Sequence, residues 1–198
     1  VQDGYLRITA SPGRRGGEEP TLLIQAHDMD LPSPGEAEPL TLGRAEARRA
    51  EEDPLVRHKS LCYYGNIRAM RKAREAGADE VYFLNHGGHL AEGAISNLFF
   101  ISHNMVYTPA LNCGLLPGIA RKLVFTLCSL HNIPFRTGQY EERALLECDE
   151  AFCTNSLRGV MPVSGLLDGP GFRPVPGRLT AIVQELYAER LRADCAEA

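Results

Sequence analysis

An α/β fold of mixed α+β character is what this 198-residue chain predicts, on three observations. Short β-rich runs alternate with stretches of helical periodicity, Gly and Pro punctuate the junctions, and no internal repeat recurs. The length suffices to bury one large core or two small ones.

Taken in order, "YLRITA" and "TLLIQA" are alternating or continuously apolar and flank the Gly/Pro run "SPGRRGGEEP", which predicts two strands joined by a turn. Residues 28–54 are rich in Pro, Glu and Gly and predict a surface segment with one short strand near residues 40–42. Residues 63–76 predict a helix, with good formers in "IRAMRKAREA" and Gly77 as its stop. "EVYFLN" then reads as a strand, "HGGH" as a tight turn, and "LAEGAISNLFFIS" and "MVYTP" as further short β-segments. After Pro117 and Gly118, the apolar residues Ile119, Leu123, Leu127 and Leu130 recur at helical spacing. "IPFRTGQY" and "EAFCTN" predict strands on either side of a short helix in "EERALLE", and an amphipathic helix over residues 179–191 closes the pattern.

Composition excludes several classes. The chain is 44% hydrophobic and 23% charged with a formal net charge of −4, so no basic field points to nucleic acid. "EARRAEEDPLVRHK" alternates in sign as a solvated segment does. Six scattered cysteines (Cys62, Cys113, Cys128, Cys148, Cys153, Cys195) form no CxxC pair and predict a reduced, cytoplasmic protein. No apolar run approaches the roughly 20 residues that span a bilayer. "VQDGYLRITA" has neither a signal-peptide pattern nor an initiator methionine, which suggests a processed or incomplete chain. "SPGRRGGEEP" lacks the lysine and hydroxyl of a P-loop, and His86 and His89 lack cysteine or acid partners at ligand spacing, so no metal is expected.

Four stretches carry chemistry. In "HKSLCYYGN", Lys59 follows Arg57 and His58 and precedes apolar or weakly polar residues, with Tyr64 five residues on. It is either a solvated surface charge or an amine held for imine formation, which burial or neighbouring positive charge favours. In "LAEGAISNLFF", Glu92 falls on an apolar background, where a carboxylate must be paired, serve a cationic ligand group, or cap a turn. In "LLPGIARK", Gly118 opens a helix whose N-terminus favours an anion, although Pro-Gly is also ordinary punctuation. In "FCTNSLRGVMPV", Thr154, Asn155 and Ser156 form either a plain polar loop or a holder of phosphate or carboxylate oxygens. In this order they are the parts a pyridoxal-phosphate site requires: an amine, a partner for the pyridinium nitrogen, and phosphate anchors.

With "HKSLCYYGN", "AEGAISNLFFI", "TPALNCGLLPGIAR" and "DEAFCTNSLRGVMPV" in register over about residues 57–163, and a weaker match at "GYLRITASPG", the chain resembles the fold-type IV pyridoxal-phosphate enzymes, the class IV aminotransferase family. That family contains branched-chain and D-amino acid aminotransferases and aminodeoxychorismate lyases. The resemblance implies Lys59 as the covalent anchor of pyridoxal 5'-phosphate and the proton shuttle, Tyr64 on its phenolic oxygen, and Glu92 at its ring nitrogen. It places the amides of Ile119 and Ala120, after Gly118, on the phosphate together with the Ser156 hydroxyl. Asn155 and the Leu157 amide would lie near the substrate carboxylate, and Arg7, ahead of Arg14 or Arg15, would hold one. Two positions depart from the family: Ala120 stands where threonine is usual, and Pro12 where lyase-like members carry arginine.

The resemblance further implies that residues 1–27 are the end of a smaller N-terminal domain, otherwise absent, and that residues 28–198 are the large lysine-bearing domain. An isolated large domain leaves part of its cofactor site and its homodimer surface open. The implied reaction is amino transfer between a branched-chain or D-amino acid and a 2-oxo acid. One alternative is 4-amino-4-deoxychorismate lyase, releasing pyruvate and 4-aminobenzoate, to which "NSLRGVMPV" is closer; a second is a truncated, non-catalytic binding subunit.

Overall fold

The computed structural model describes residues 4–13, 19–28 and 36–196. Its contacts divide the chain into two units, Val1–Ser33 and Pro34–Ala198. In the first, β1 (Gly4–Ser11) and β2 (Thr21–Asp28) form an antiparallel hairpin with Ile8 opposite Ile24 and Tyr5 opposite His27. The Tyr5 and His27 rings stack with centroids 4.8 Å apart. Because side chains alternate along a strand, Leu6, Ile8, Leu22 and Ile24 share one face, all exposed, and Arg7 stands exposed on the other. Arg14 and Arg15 lie outside the described residues.

In the second unit, eight strands make one sheet. They are β3 (Leu40–Arg44), β4 (Glu80–Leu84), β5 (Leu90–Gly93), β6 (Asn97–Ser102), β7 (Met105–Pro109), β8 (Phe135–Gly138), β9 (Glu150–Asn155) and β10 (Gly159–Leu166). Their order is β5-β4-β3-β10-β9-β6-β7-β8, and the pair Glu92↔Asn97 also joins β5 to β6, so the pairings from β5 round to β6 run in a ring. The helices are α1 (Tyr64–Glu75), α2 (Ile119–Leu130), α3 (Glu142–Leu146) and α4 (Arg178–Ala196).

Strand alternation sorts the core. Tyr82, Leu84, Leu98, Phe100, Cys153 and Met161 pack in one cluster with Leu40, Leu42 and Leu145. Their neighbours Phe99, Ile101, Phe152 and Val160 point the other way, onto Val124, Leu127 and Cys128 of α2 and Val183 and Tyr187 of α4. Val81 and Phe83 of β4 meet Met70 and Ala73 of α1 in a third cluster. Both faces of β4 are therefore covered, which is why "EVYFL" reads as a continuous apolar run instead of an alternating one.

Three features were not expected from the sequence. "LAEGAISNLFFIS" is interrupted by a turn between Gly93 and Ser96, closed by the Gly93 amide donating to the Ser96 carbonyl at 2.8 Å. Strand β10 contains Pro162, which cannot donate in a ladder. The strand changes partner there: residues up to Pro162 pair antiparallel with β9, and from Val163 onward they pair parallel with β3. The last helix begins at Arg178 and runs to Ala196, five residues beyond the expected end at 191. No helix among the described residues is long and apolar enough to cross a membrane.

Candidate active site

Glu92 sits where β5 meets β6, only 8% exposed. One carboxylate oxygen, Oε2, accepts from the Leu116 amide at 2.9 Å and from Asn97 Nδ2 at 3.5 Å. The other, Oε1, faces Arg49 Nη2 at 3.4 Å. Burial is the dominant influence and pushes the carboxyl up from 4.5 to about 7, while Arg49, the Leu116 amide and Lys59 pull it back down. Such a carboxylate changes its proton near neutrality and gains from a cationic group placed beside it.

The turn that presents Glu92 is built on a second carboxylate. Glu80, 2% exposed at the start of β4, accepts from the amides of Val81, Ala94 and Ile95 and from the Ser96 hydroxyl at 2.8–3.3 Å. Burial raises its pKa, and these four donors oppose the rise. Gly93 is required here, because a Cβ would drive into the Ser96 hydroxyl and stand 3.1 Å from the Glu80 carboxyl carbon.

Glu80 thereby aims the Ala94 carbonyl at the start of α1. That carbonyl accepts from Tyr63 Oη at 2.9 Å and from Asn66 Nδ2 at 2.6 Å. Asn66 Oδ1 accepts in turn from Arg49 Nη1 at 2.8 Å. Lys59 Nζ donates to Tyr63 Oη at 3.3 Å. A continuous bonded path thus runs from the Lys59 amine through Tyr63, Ala94, Asn66 and Arg49 to the Glu92 carboxylate.

Lys59 is exposed and held over the Tyr63 ring, the solvated setting that was one of the two left open for it. Tyr63, not Tyr64, stands beside it. Tyr63 is the N-cap of α1 with non-helical backbone angles, so its ring leaves the phase of the helix and turns back to Ala94. Tyr64 is the first helical residue and is 78% exposed.

Gly118 caps α2 with an extended backbone, and Asn97 Oδ1 packs so closely against it that a Cβ would collide. Asn97 Nδ2 donates to the Leu116 carbonyl at 2.9 Å, so Leu116 is bound through its amide to Glu92 and through its carbonyl to Asn97. The carboxylate and the N-terminus of α2 are therefore one assembly. Ile119 projects outward, and Ala120 packs in the core with Val124. Ser156 leaves the sheet at this same end, since the preceding Thr154 is the cross-strand partner of Asn97.

Asn155 and Leu157 are otherwise engaged. The Asn155 carboxamide oxygen accepts from the amides of Leu157 at 3.1 Å and Arg158 at 2.8 Å, closing the turn between β9 and β10. The Leu157 amide is thus already committed, and a substrate carboxylate would have to compete for it. Arg7 belongs to the hairpin unit, opposite Gln25.

Arg49, Asn66, Tyr63 and Asn97 are the members that sequence reasoning passed over as site residues. Arg49 lies in the sign-alternating run taken for solvated, yet its side chain is 14% exposed and lies over the Phe83 ring at 4.0 Å. The available signal was Glu92 itself, because a carboxylate in an apolar setting needs a nearby cation.

The profile of the Amino-transferase class IV family matches residues 1–166. The chain is 30% identical over 178 residues to the aminodeoxychorismate lyase of Bacillus subtilis, covering 88% of this chain and 59% of that protein. It is 35% identical over 108 residues to a probable branched-chain-amino-acid aminotransferase of Thermotoga maritima, covering 54% of this chain and 40% of that one. Among solved structures it is similar to an aminotransferase from Brucella abortus bound to the co-factor PLP. That likeness has a TM-score of 0.73 and 28% identity over 85% of this chain and 58% of the other. The chain spans less than two thirds of the length of each of these proteins.

Proposed function

We propose, from the premise that this chain belongs to the amino-transferase class IV family, that it carries the cofactor site of an enzyme moving an amino group between an amino acid, branched-chain or D-, and a 2-oxo acid. The observation that carries the reading is the bonded path joining an exposed amine, Lys59, to a buried carboxylate, Glu92, beside the open N-terminus of α2. The donor set fits pyridoxal 5'-phosphate, whose amine, ring-nitrogen and phosphate partners are all represented.

When bound, that cofactor supplies an aldehyde for an amine to condense with and an electron-poor ring that delocalises charge from the substrate. Lys59 Nζ would hold the cofactor at its aldehyde and would carry a proton to and from the substrate. Tyr63, beside Lys59, would turn its hydroxyl from the Ala94 carbonyl to the phenolic oxygen, the role the resemblance gives Tyr64. Glu92 would hold a proton on the ring nitrogen by ion pairing. Ile119 and Ala120 would hold the phosphate through their amides, where the helix dipole favours negative charge, and Ser156 would add a hydroxyl. Residues 1–27 read as the end of a smaller domain and residues 28–198 as the lysine-bearing one. The six unpaired cysteines fit a reducing cytoplasm, and the enzyme is read as a homodimer.

A second reading is supported by the lyase relative that covers 88% of this chain. In it the same residues cleave 4-amino-4-deoxychorismate to 4-aminobenzoate and pyruvate. Purified full-length gene product loaded with pyridoxal phosphate separates the two. Incubation with D-alanine or L-leucine plus 2-oxoglutarate yields pyruvate or a branched 2-oxo acid in the first case. Incubation with aminodeoxychorismate yields 4-aminobenzoate in the second. A visible absorbance band with pyridoxal phosphate that is lost in Lys59→Ala is expected on either reading, and absence of that band in the unmodified protein rejects both.

A further inference from the structure

We propose that Arg49 is the positioning residue for Glu92: it supplies the counter-charge that favours the anion of that carboxylate and fixes its direction by bridging it to Asn66 at the start of α1. The geometry is specific to a forked cation. One terminal nitrogen, Nη2, faces Glu92 Oε1 at 3.4 Å and the Gly93 carbonyl at 3.4 Å, and the other, Nη1, donates to Asn66 Oδ1 at 2.8 Å. The guanidinium plane rests on Phe83 at 4.0 Å, so the side chain is held on its apolar face as well as at its two terminal nitrogens. A planar, delocalised cation can satisfy all of these partners together, and a lysine ammonium cannot.

The backbone fixes this side chain from below. The Arg49 amide donates to the Leu84 carbonyl at 2.9 Å, and Arg49 forms an isolated bridge with Asn85. The residue is therefore attached to the end of β4, next to the strand that carries Glu92. Its second partner, Asn66, shares the Ala94 carbonyl with Tyr63. Arg49 thus orients the carboxylate and the amine-bearing segment from a single point.

Other charges also face Glu92. Lys59 favours its anion, Glu80 opposes it, and Arg121, buried and bonded to the Pro109 carbonyl at 2.8 Å, lies within electrostatic range. Of the three cations, Arg49 alone forms an ion pair with the carboxylate. A buried carboxylate deprived of its paired cation takes up a proton instead of remaining charged.

What the anion does for a bound cofactor rests on the function proposed above; the pairing itself does not, so the test uses cofactor-free protein. The Glu92 side-chain carbon is titrated by carbon-13 NMR in the unmodified protein, Arg49→Gln and Arg49→Lys. Arg49→Gln is expected to raise the proton affinity of Glu92 at least tenfold, and Arg49→Lys to restore most of that change because the charge is kept. A change of less than twofold in Arg49→Gln overturns the proposal, since a purely structural arginine would leave the titration where it was. Where Arg49→Gln does not fold, nitrogen-15 signals of the Arg49 guanidinium in the unmodified protein replace it. They are expected to move with the Glu92 midpoint, and independence from it overturns the proposal. The visible-band test with Lys59→Ala fails or succeeds separately, so a wrong cofactor reading and a wrong role for Arg49 give different results.

Discussion

Replacing Glu92 by glutamine changes how folding depends on pH in a way the structure quantifies. In the folded chain the carboxyl is pushed up from its ordinary 4.5 to about 7, chiefly by burial. Between those two values the folded state binds a proton that the unfolded state has released. Stability from this group is therefore complete below pH 4.5 and is lost as pH rises to 7, the reverse of a surface-paired carboxylate. At about 1.4 kcal/mol for each tenfold change in proton affinity, the loss amounts to about 3 kcal/mol by pH 8. Glutamine keeps the shape and an oxygen acceptor for the Leu116 amide but titrates nothing. Below pH 4.5 the neutral acid and the amide should have similar stability; at pH 8 Glu92→Gln should be the more stable protein by about 3 kcal/mol. Glu80, also raised by burial, is present in both proteins, and its titration differs between them only by the repulsion that Glu92 exerts when charged. Urea unfolding of both cofactor-free proteins from pH 4.5 to 8.5 reads the difference directly. A gap that stays constant to within about 0.5 kcal/mol across that range would refute the assignment of Glu92 as a buried, near-neutral acid.

Three further outcomes follow from named contacts. Gly118→Ala pushes a methyl into Asn97, which must give up its bond to Leu116, and should cost about 2–4 kcal/mol in denaturant unfolding. Gly65→Ala, in α1 with nothing within 4 Å of the new methyl, should instead gain up to about 1 kcal/mol; equal effects at the two sites would contradict the packing. Tyr63→Phe should weaken pyridoxal-phosphate binding about tenfold, measured by titration of the visible band, while Tyr64→Phe should change it less than about twofold; the opposite ranking would return the role to Tyr64. A thiol reagent on the native chain should modify Cys62 and Cys195 quickly and leave Cys113, Cys128 and Cys153 until denaturant is added; early modification of Cys153 would contradict its burial.

The parts of the site that announce themselves by local chemistry were legible in the sequence. Glu92 stands out because a carboxylate among Leu, Ala and Phe demands a reason, and Gly118 because it precedes a helix with apolar residues at clear spacing. Tyr63 and Tyr64 could not be separated in that way. Which of two adjacent rings turns inward depends on where helical backbone begins, and the cap at Tyr63 shifts that by one residue. Arg49 was hidden because its partners, Glu92 and Asn66, are 43 and 17 positions away along the chain, and its immediate neighbours alternate in charge. Strand β10 was hidden because Pro162 argues against a central strand, and only the change of partner at that residue makes it admissible.

Leu116 contributes only backbone to the site, but its two bonds give it a consequence for anyone altering this protein. Its amide grips Glu92 and its carbonyl grips Asn97, so the loop before α2 helps to pull down the proton affinity of the carboxylate as well as to fix the start of the helix. A library that diversifies residues 111–117 to change what the site admits will therefore also retune its proton chemistry. Variants from such a library are best ranked at several pH values, because one pH confounds altered fit with altered charge.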